Sequence, residues 1–488
     1  MKILISLILS VLFLVSCSKW LDVKPQSQVS AEQLFSSQAG FEEALNGVYT
    51  RCSQPGEYGD ELTFGFLDVL AQNYSIPPPT QDLQNYLQTS IYNYGDINFI
   101  SRKDTVWSGL YNAITNCNLI LANIEQGKKF LSTVDYGIIK GEALAMRGYL
   151  HLDLLRMFAP SYASNPNAPA IPYVTDYSDK VTPLSTVSGA LALIIQDLDS
   201  AKGLLRPVDP ILNPGYIVGY PGYDSTTEQN NPSLFLQSRR TRLNYYAVCG
   251  TLARAYLYMG DQKDALSNAL EVINSKKFPW TSASDFMSPN PQTRDLVMYK
   301  ELLFCWYIPT MKLTLQNRFV DGVGSYISAG GGANLYQTGG IGGTDVRYKE
   351  WFQPKSANGA SWLDVIKYSR DVDTNLVPIV APALRLSEMY YIAAECTYDA
   401  NPVLATSYLD AVRNTRSVYA PGPPINKQDF LNQLVQEARK EFYGEGQIFY
   451  MYKRLNMPIV TPSGISYPAN NSIFVLPLPN NEIEFGNR

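Results

Sequence analysis

The sequence predicts a mainly α-helical protein built from stacked helix pairs, and three observations lead there. Between Leu243 and Ile273 two amphipathic runs meet at Met259-Gly260-Asp261. The first run places Tyr245, Val248, Cys249, Leu252, Ala253, Tyr256 and Leu257 on one face, and the second places Ala265, Leu266, Ala269, Leu270 and Ile273. That i, i+3, i+4, i+7 rhythm marks a buried helical stripe. Second, the same rhythm recurs in Trp107–Gly127, Val134–Phe158, Pro183–Leu205, Pro382–Arg416 and Asp429–Tyr443. Third, an isolated hairpin cannot bury both of its faces, so these pairs must stack on one another.

Each element has a local cause. Gly260 suits a left-handed helix end and Asp261 suits the cap of the next helix. Small Ala253 and Ala265 let the two helices approach closely. The order Leu252, Ala253, Tyr256, Gly260, Ala265, Ala269 resembles a tetratricopeptide hairpin. Upstream, Glu32–Thr50 predicts an amphipathic helix through Leu34, Phe35, Phe41, Ala44, Leu45 and Val48. Trp107–Gly127 buries Trp107, Leu110, Tyr111, Ile114, Cys117, Ile120 and Leu121, and it pairs with Val134–Phe158. The latter is apolar nearly all round and therefore central, with Gly148 marking a close backbone approach. Glu301–Pro309 predicts a strand. The closing IFVLPLPNNEIEFGNR predicts an extended stretch and a turn.

Composition narrows the function. The 488 residues are 45% hydrophobic but only 17% charged, with a net charge of −5, which excludes a basic nucleic-acid surface. Thirty-four tyrosines help bring the aromatic fraction to 12%, and tyrosine both stacks and hydrogen-bonds. At the N-terminus Lys2 precedes the apolar run Ile3–Val15, which ends at Leu14-Val15-Ser16-Cys17. The run falls short of the roughly 20 residues that span a bilayer. It reads as a signal peptide over 1–16, followed by a tether, Ser18–Pro25. The remaining cysteines, Cys52, Cys117, Cys249, Cys305 and Cys396, are scattered without metal spacing and predict no disulfide framework.

Two stretches lack helical rhythm and carry polar aromatics, about 51–104 and 304–352. Both predict ligand-binding loops, and the first reads as ordered, since a disordered stretch is poor in aromatics. Gly322–Gly343, with nine glycines, predicts a mobile loop; no Gly-Lys-Ser/Thr follows to bind phosphate. Sugar rings stack their C–H faces on aromatic rings while amides hold the hydroxyls. The candidate ligand contacts are therefore Asn73, Tyr74, Tyr86, Tyr92, Tyr94, Trp306, Tyr307 and Trp351, with Gln72, Asn93 and Asp96 close by. Trp107, Tyr111, Tyr149, Tyr245 and Tyr256 sit at helical spacing and predict core.

Catalytic chemistry finds little footing. Glu441 and Glu445 at i and i+4 offer two carboxylates on one helix face, the outline of a glycosidase pair. The surrounding Glu437, Arg439, Lys440 and Glu441 point instead to an ion-pair network with Arg413 or Arg416. The single histidine, His151, lies among leucines and predicts a satisfied core residue. No cofactor is implied.

Several blocks, in order along the chain, resemble the SusD/RagB outer-membrane lipoproteins of Bacteroidetes nutrient-uptake systems. They are the lipobox at Cys17, WSGLYNAITNCN, EALAMRGYLHLDLLRMFAP, the hairpin from Leu243, Asp345-x-Arg347, LRLSEMYYIAAEC, EARKEFYGEGQIFYMYKR and LPLPNNEIEF. The resemblance implies a SusD-like fold over 17–488 as one domain. About four tetratricopeptide-like hairpins, from about 107–158, 183–275 and 382–443, would support a loop-rich binding half. It implies lipid attachment at Cys17, an outer-membrane location exposed at the cell surface, and a SusC-like TonB-dependent transporter as partner. The implied ligand is an oligosaccharide, with an oligopeptide of the RagB type as the alternative and a glycoside-processing enzyme as a further one.

Overall fold

The computed structural model describes residues 30–222, 224–319, 325–369 and 374–486. The leader, Cys17 and the tether lie outside them, as does part of the glycine-rich stretch.

Helical periodicity becomes four stacked pairs. Helix α1 (Gln38–Cys52) packs on α2 (Ile97–Gly127), and α3 (Thr133–Phe158) packs on α4 (Val187–Leu205). Next, α5 (Tyr245–Met259) packs on α6 (Gln262–Ser275), and beyond the irregular half come α9 (Leu386–Thr397) and α10 (Pro402–Thr415). The steps between pairs run α2 on α3, α4 on α5, and α6 on α9. Polar side chains start each of the first three pairs' helices: Ser37, Asp96, Ser132, Thr186, Asn244 and Asp261 each accept a backbone N–H of the first turn. Gly260 ends α5 at φ 85°, in the left-handed region that a side chain disfavours.

The sequence reading paired α2 with α3, but the most extensive partner of α3 is α4. An all-round apolar helix is buried from both sides, so periodicity could not say which neighbour is its hairpin mate. Gly148 faces α4: a methyl group there would lie 3.0 Å from Leu198 Cγ and 3.3 Å from the Ile194 carbonyl. The two backbones meet closely because that methyl is missing.

Boundaries differ where a cap or a strand intervened. Glu32–Thr50 is not one helix; a turn over Ala31–Leu34 precedes α1, which Ser37 caps anew. Helix α2 begins ten residues before Trp107, capped by Asp96 and burying Phe99, Lys103 and Val106. Leu184–Thr186 is a short strand paired with Pro169–Pro172, ahead of α4. The first residues of the Pro382 run are also a strand. The tail carries two short helices, Asn471–Phe474 and Asn480–Phe485, around its extended portion. All five described cysteines are free and buried.

The irregular half holds the strands that matter for function. Strand β1 (Leu302–Tyr307) pairs antiparallel with β5 (Val380–Arg385), joining Tyr307 to Val380 and Leu302 to Arg385. A second sheet has β4 (Ala360–Val365) between β2 (Tyr326–Ser328) and β3 (Phe352–Ala357). Helix α7 (Lys312–Phe319) follows β1, and α8 (Ala329–Tyr336) follows β2. The glycine-rich stretch is thus ordered over α8, where Ser328 caps the helix by accepting from Gly331 N–H. Gly331 and Gly332 are buried there: a Cβ on Gly332 would meet Leu363 at 2.5 Å. Helix α11 (Lys427–Glu441), then Gly444-Glu445-Gly446, then α12 (Ile448–Leu455) close the structure against both halves.

Ala253 is fully buried on α5. Ala253→Trp should overpack that helix contact and lower stability by at least about 1–3 kcal/mol, read from the urea unfolding midpoint.

Candidate ligand-binding site

Two stretches far apart in sequence meet. Ser75 N–H donates to the Tyr326 carbonyl at 2.7 Å, and Ser328 N–H donates to Ser75 Oγ at 3.1 Å. Arg318 of α7 pairs with Asp60 and donates to the Tyr86 hydroxyl at 2.9 Å. Tyr58 stacks on Trp306 with centroids 4.4 Å apart, and Tyr74 meets Phe319 edge-on at 6.0 Å. The two loop regions expected to act together do form one body, with residues 53–96 as its floor.

Most of the proposed contact residues are part of that floor. Asn73 is fully buried, donating to Asp68 and accepting from Arg439 Nε at 2.9 Å. Tyr74 is buried and donates to the Phe64 carbonyl at 3.0 Å. Tyr86 is buried, donates to Glu61 at 2.8 Å, and lies under the Arg102 guanidinium. Trp306 is boxed by Tyr58, Phe304 and Tyr149. Trp351 is buried, donating to the Leu296 carbonyl at 2.7 Å, with the Lys367 ammonium 4.1 Å from its ring. Tyr92 and Tyr94 are half-buried, their hydroxyls spent on the Leu70 and Ile473 carbonyls. Tyr74, Tyr86, Trp306 and Trp351 thus pack inside the protein, while Tyr92 and Tyr94 keep part of their surface in solvent. A loop this poor in regular structure needs a core of its own, and its aromatics supply it.

Tyr307 differs. Leu302 to Trp306 of β1 are all buried, and Tyr307 at the strand's end is 52% exposed. Its strand partner Val380 and the adjoining Ile379 form one wall of a narrow cleft with a cavity volume of about 20 Å³. Arg294, Leu315, Lys367, Tyr368, Ser369 and Asn375 are among the other residues lining it, with Gln292 exposed nearby in sequence. Asn375 is held in place by donating to the Pro291 and Arg294 carbonyls, and Gln292 donates to Thr374 Oγ1 at 3.1 Å. An exposed ring and a held amide are each chemistry suited to hydroxyl-bearing ligands with apolar faces. Neither 291–297 nor 366–380 stood out in the sequence, because their few amides become a group only through the β1–β5 pairing.

The acidic pair is spoken for. Arg416 donates to Glu441 at 2.7 and 3.0 Å while also bridging Glu301, and Arg347 donates to Glu441 at 2.8 Å. Glu445 accepts from Lys367 at 2.6 Å and from Arg385 Nε at 2.9 Å. Burial raises the Glu441 carboxyl, but Arg416, Arg347 and Arg385 overcome it and hold it well below the usual carboxylate range. Both carboxylates are buried and occupied by cations. Arg413 lies 3.9 Å from Glu437, as expected, whereas Arg439 leaves the network to bind Gln72, Asn73 and Val460. His151 Nε2 accepts from Val174 N–H at 3.1 Å, so Nδ1 carries the proton toward the Arg147 carbonyl at 2.9 Å. Among the described residues no group of three or more His, Cys, Asp or Glu is placed to hold a metal ion.

The comparisons bear on this fold. Residues 19–209 match the family model described as "Starch-binding associating with outer membrane", and residues 369–484 match the "SusD family" model. The chain belongs to the SusD/RagB family. Curated proteins give no match. Among solved structures, a SusD-like carbohydrate binding protein from Bacteroides vulgatus superposes with a TM-score of 0.72 at 19% identity, covering 92% of this chain and 96% of its own. A SusD superfamily protein from Bacteroides thetaiotaomicron gives 0.71 at 22% identity, covering 92% and 98%. One from Bacteroides fragilis gives 0.68 at 19%, again covering 92% and 98%. At these identities the likeness is one of fold.

Two outcomes follow for the buried groups. Glu441→Gln should remove the charge shared by Arg416 and Arg347, which keep Glu301 and Asp345, and cost up to about 3–5 kcal/mol, measured by chemical unfolding. Burial pushes the His151 pKa down to about 3, below its value of about 6.5 in an unfolded chain. Its contribution to stability is therefore complete above pH 6.5 and lost as pH falls toward 3. As His151 is the sole histidine, its imidazole NMR signals should show no titration between pH 8 and about 5.

Proposed function

We propose that this protein is a non-catalytic, lipid-anchored binding protein of the outer membrane that captures oligosaccharides and hands them to a SusC-like TonB-dependent transporter. Membership of a family whose model is described by starch binding and outer-membrane association supports the setting. Among solved relatives of the same fold, one is described as a carbohydrate binding protein. The observation that carries the reading to particular residues is Tyr307, an exposed ring whose strand partner Val380 lines the Asn375 cleft. The paired state of Glu441 and Glu445 supports a binding role over glycoside hydrolysis. No helix of the described residues is long and apolar enough to cross a membrane, so the proposed hold on the membrane is acylated Cys17.

Calorimetry against a panel of neutral oligosaccharides tests the ligand class. Tyr307→Ala should weaken glycan binding by about 1–3 kcal/mol with an unchanged melting temperature. Tyr74→Ala should instead lower the melting temperature, since its ring packs on Phe319 and Tyr443. Binding of peptides alone would replace oligosaccharide by oligopeptide in this reading, and turnover of any glycan by the pure protein would end it. Cys17→Ala should move the protein from the membrane to the soluble fraction in cells lacking the transporter. Retention there would sink the anchor.

A further inference from the structure

Two clefts beside α11 share no lining residue with the Asn375 cleft. The larger, with a cavity volume of about 470 Å³, lies between α8, α11, α12 and the stretch 457–464. The smaller, of about 230 Å³, lies between α11 and Gln337, Ile341 and Pro421. Asn432 and Gln436 of α11 line both, so the two adjoin as one groove.

Charge at this groove is already committed. Arg439 gives its guanidinium nitrogens to Asn73, Gln72 and Val460. Glu437 is paired with Arg347 and Lys440, and Arg413 with Asp410. The carboxamides, by contrast, are each held at one end only. Asn334 donates to the Pro462 carbonyl at 3.3 Å and Gln436 to the Leu335 carbonyl at 2.5 Å, leaving both side-chain oxygens unused among the described residues. Gln337 accepts from the buried Lys440 ammonium at 2.8 Å, and Asn432 accepts from Gln428 at 3.1 Å. Their amide N–H groups are likewise unused among the described residues. Tyr452 of α12 completes the set. The residue is only 5% exposed, yet its hydroxyl makes no hydrogen bond among the described residues and is not sealed from solvent.

Two acceptors, two donors and a hydroxyl able to do either thus line a groove with no free charge. An ion of either sign finds no counter-charge there. A sugar hydroxyl donates and accepts at once, so a row of them meets both kinds of partner. Met457, Pro458 and Pro421 supply apolar surface for the C–H faces of the rings. A peptide would also match the amides, but its termini and charged side chains would go unpaired.

We propose that this groove is a second binding surface for neutral oligosaccharide, its hydroxyls taken by Asn334, Gln337, Asn432, Gln436 and Tyr452. It rests on the reading of the protein as a glycan binder and adds a contact independent of Tyr307.

Maltoheptaose, cellohexaose and mannohexaose are the probes, titrated into the full chain by calorimetry. Hydroxyl-radical footprinting then follows Met457, a half-buried thioether in the larger cleft. At least one probe should bind and protect Met457 from oxidation, in the parent and in Tyr307→Ala alike. The double variant Asn432→Ala/Tyr452→Phe removes an exposed amide and an unpartnered hydroxyl, so it should melt like the parent. Its affinity should fall by about tenfold, with protection of Met457 nearly lost at a concentration equal to the parent's Kd. Should the pair not fold, each single variant reads the same loss at smaller amplitude. If no probe binds, this surface falls together with glycan capture. If a probe binds but Met457 stays unprotected, or the double variant binds as the parent does, this surface is overturned and glycan capture stands. Protection of Met457 by tetra-alanine and by none of the glycans overturns it as well.

Discussion

A buried lattice of charge on α11 holds the two halves of the molecule in one arrangement. Glu437, Glu441 and Glu445 project from a single helix and its following turn, and each meets cations from other segments. Arg385 comes from β5, Arg347 from the Asp345 turn, Arg416 from the end of α10 and Lys367 from beyond β4. Charges removed from water are stabilised only by close, well-oriented partners. A displaced β5 or a shifted α10 would leave one of them alone in a dry interior. Packing of apolar faces tolerates small slides between helices, whereas this lattice does not. Specificity of arrangement, more than net stability, is what such a lattice can supply.

The lattice is also what gives the irregular half a fixed shape. Residues 53–96 contain little regular structure, so their backbone groups need partners elsewhere. Asp68 shows how they find them: its carboxylate accepts from Asn73 and from the N–H groups of Gly444 and Gly446, within the turn that carries Glu445. Gly446 has φ 68°, and a Cβ there would lie 2.1 Å from the Leu62 carbonyl. A glycine is demanded twice over, by conformation and by contact. The loop floor is thereby tied to the same helix end that orders the ion pairs.

This explains which parts of the molecule were legible from the sequence. Helix pairs are announced by periodicity, and the Leu243–Ile273 hairpin was readable down to its Gly260 and Asp261 because caps and left-handed ends are local chemistry. The start of α2 at Ile97 had its signal too, in Asp96 ahead of Phe99, Lys103 and Val106, masked by the polar residues between them. Helix α8 had Ser328 as a cap, but its glycines read as a breaker because their use, close packing against β4, is tertiary. Pairing of α3 with α4 was not legible, since an apolar face carries no address.

The site was half legible for a related reason. That the stretches near 51–104 and 304–352 belong together followed from their shared composition, and Ser75 against Tyr326 realises it. Which rings face outward depends on strand register and on what lies beneath, and composition is silent on both. Trp306 and Tyr307 are neighbours of similar chemistry, yet β1 turns one into a box of Tyr58, Phe304 and Tyr149 and the other into solvent. In a helical scaffold the polar surface is separated from the core by angle around the helix. In β1 the residues from Leu302 to Trp306 are all buried and only the last, Tyr307, reaches solvent, so exposure there is set by where cover of the strand ends. The β1–β5 pairing that fixes this register ends at Arg385, whose guanidinium is clamped by Glu445. The charge lattice therefore reaches the exposed ring through six residues of strand, which connects buried ion pairs of the fold to an aromatic ring in solvent.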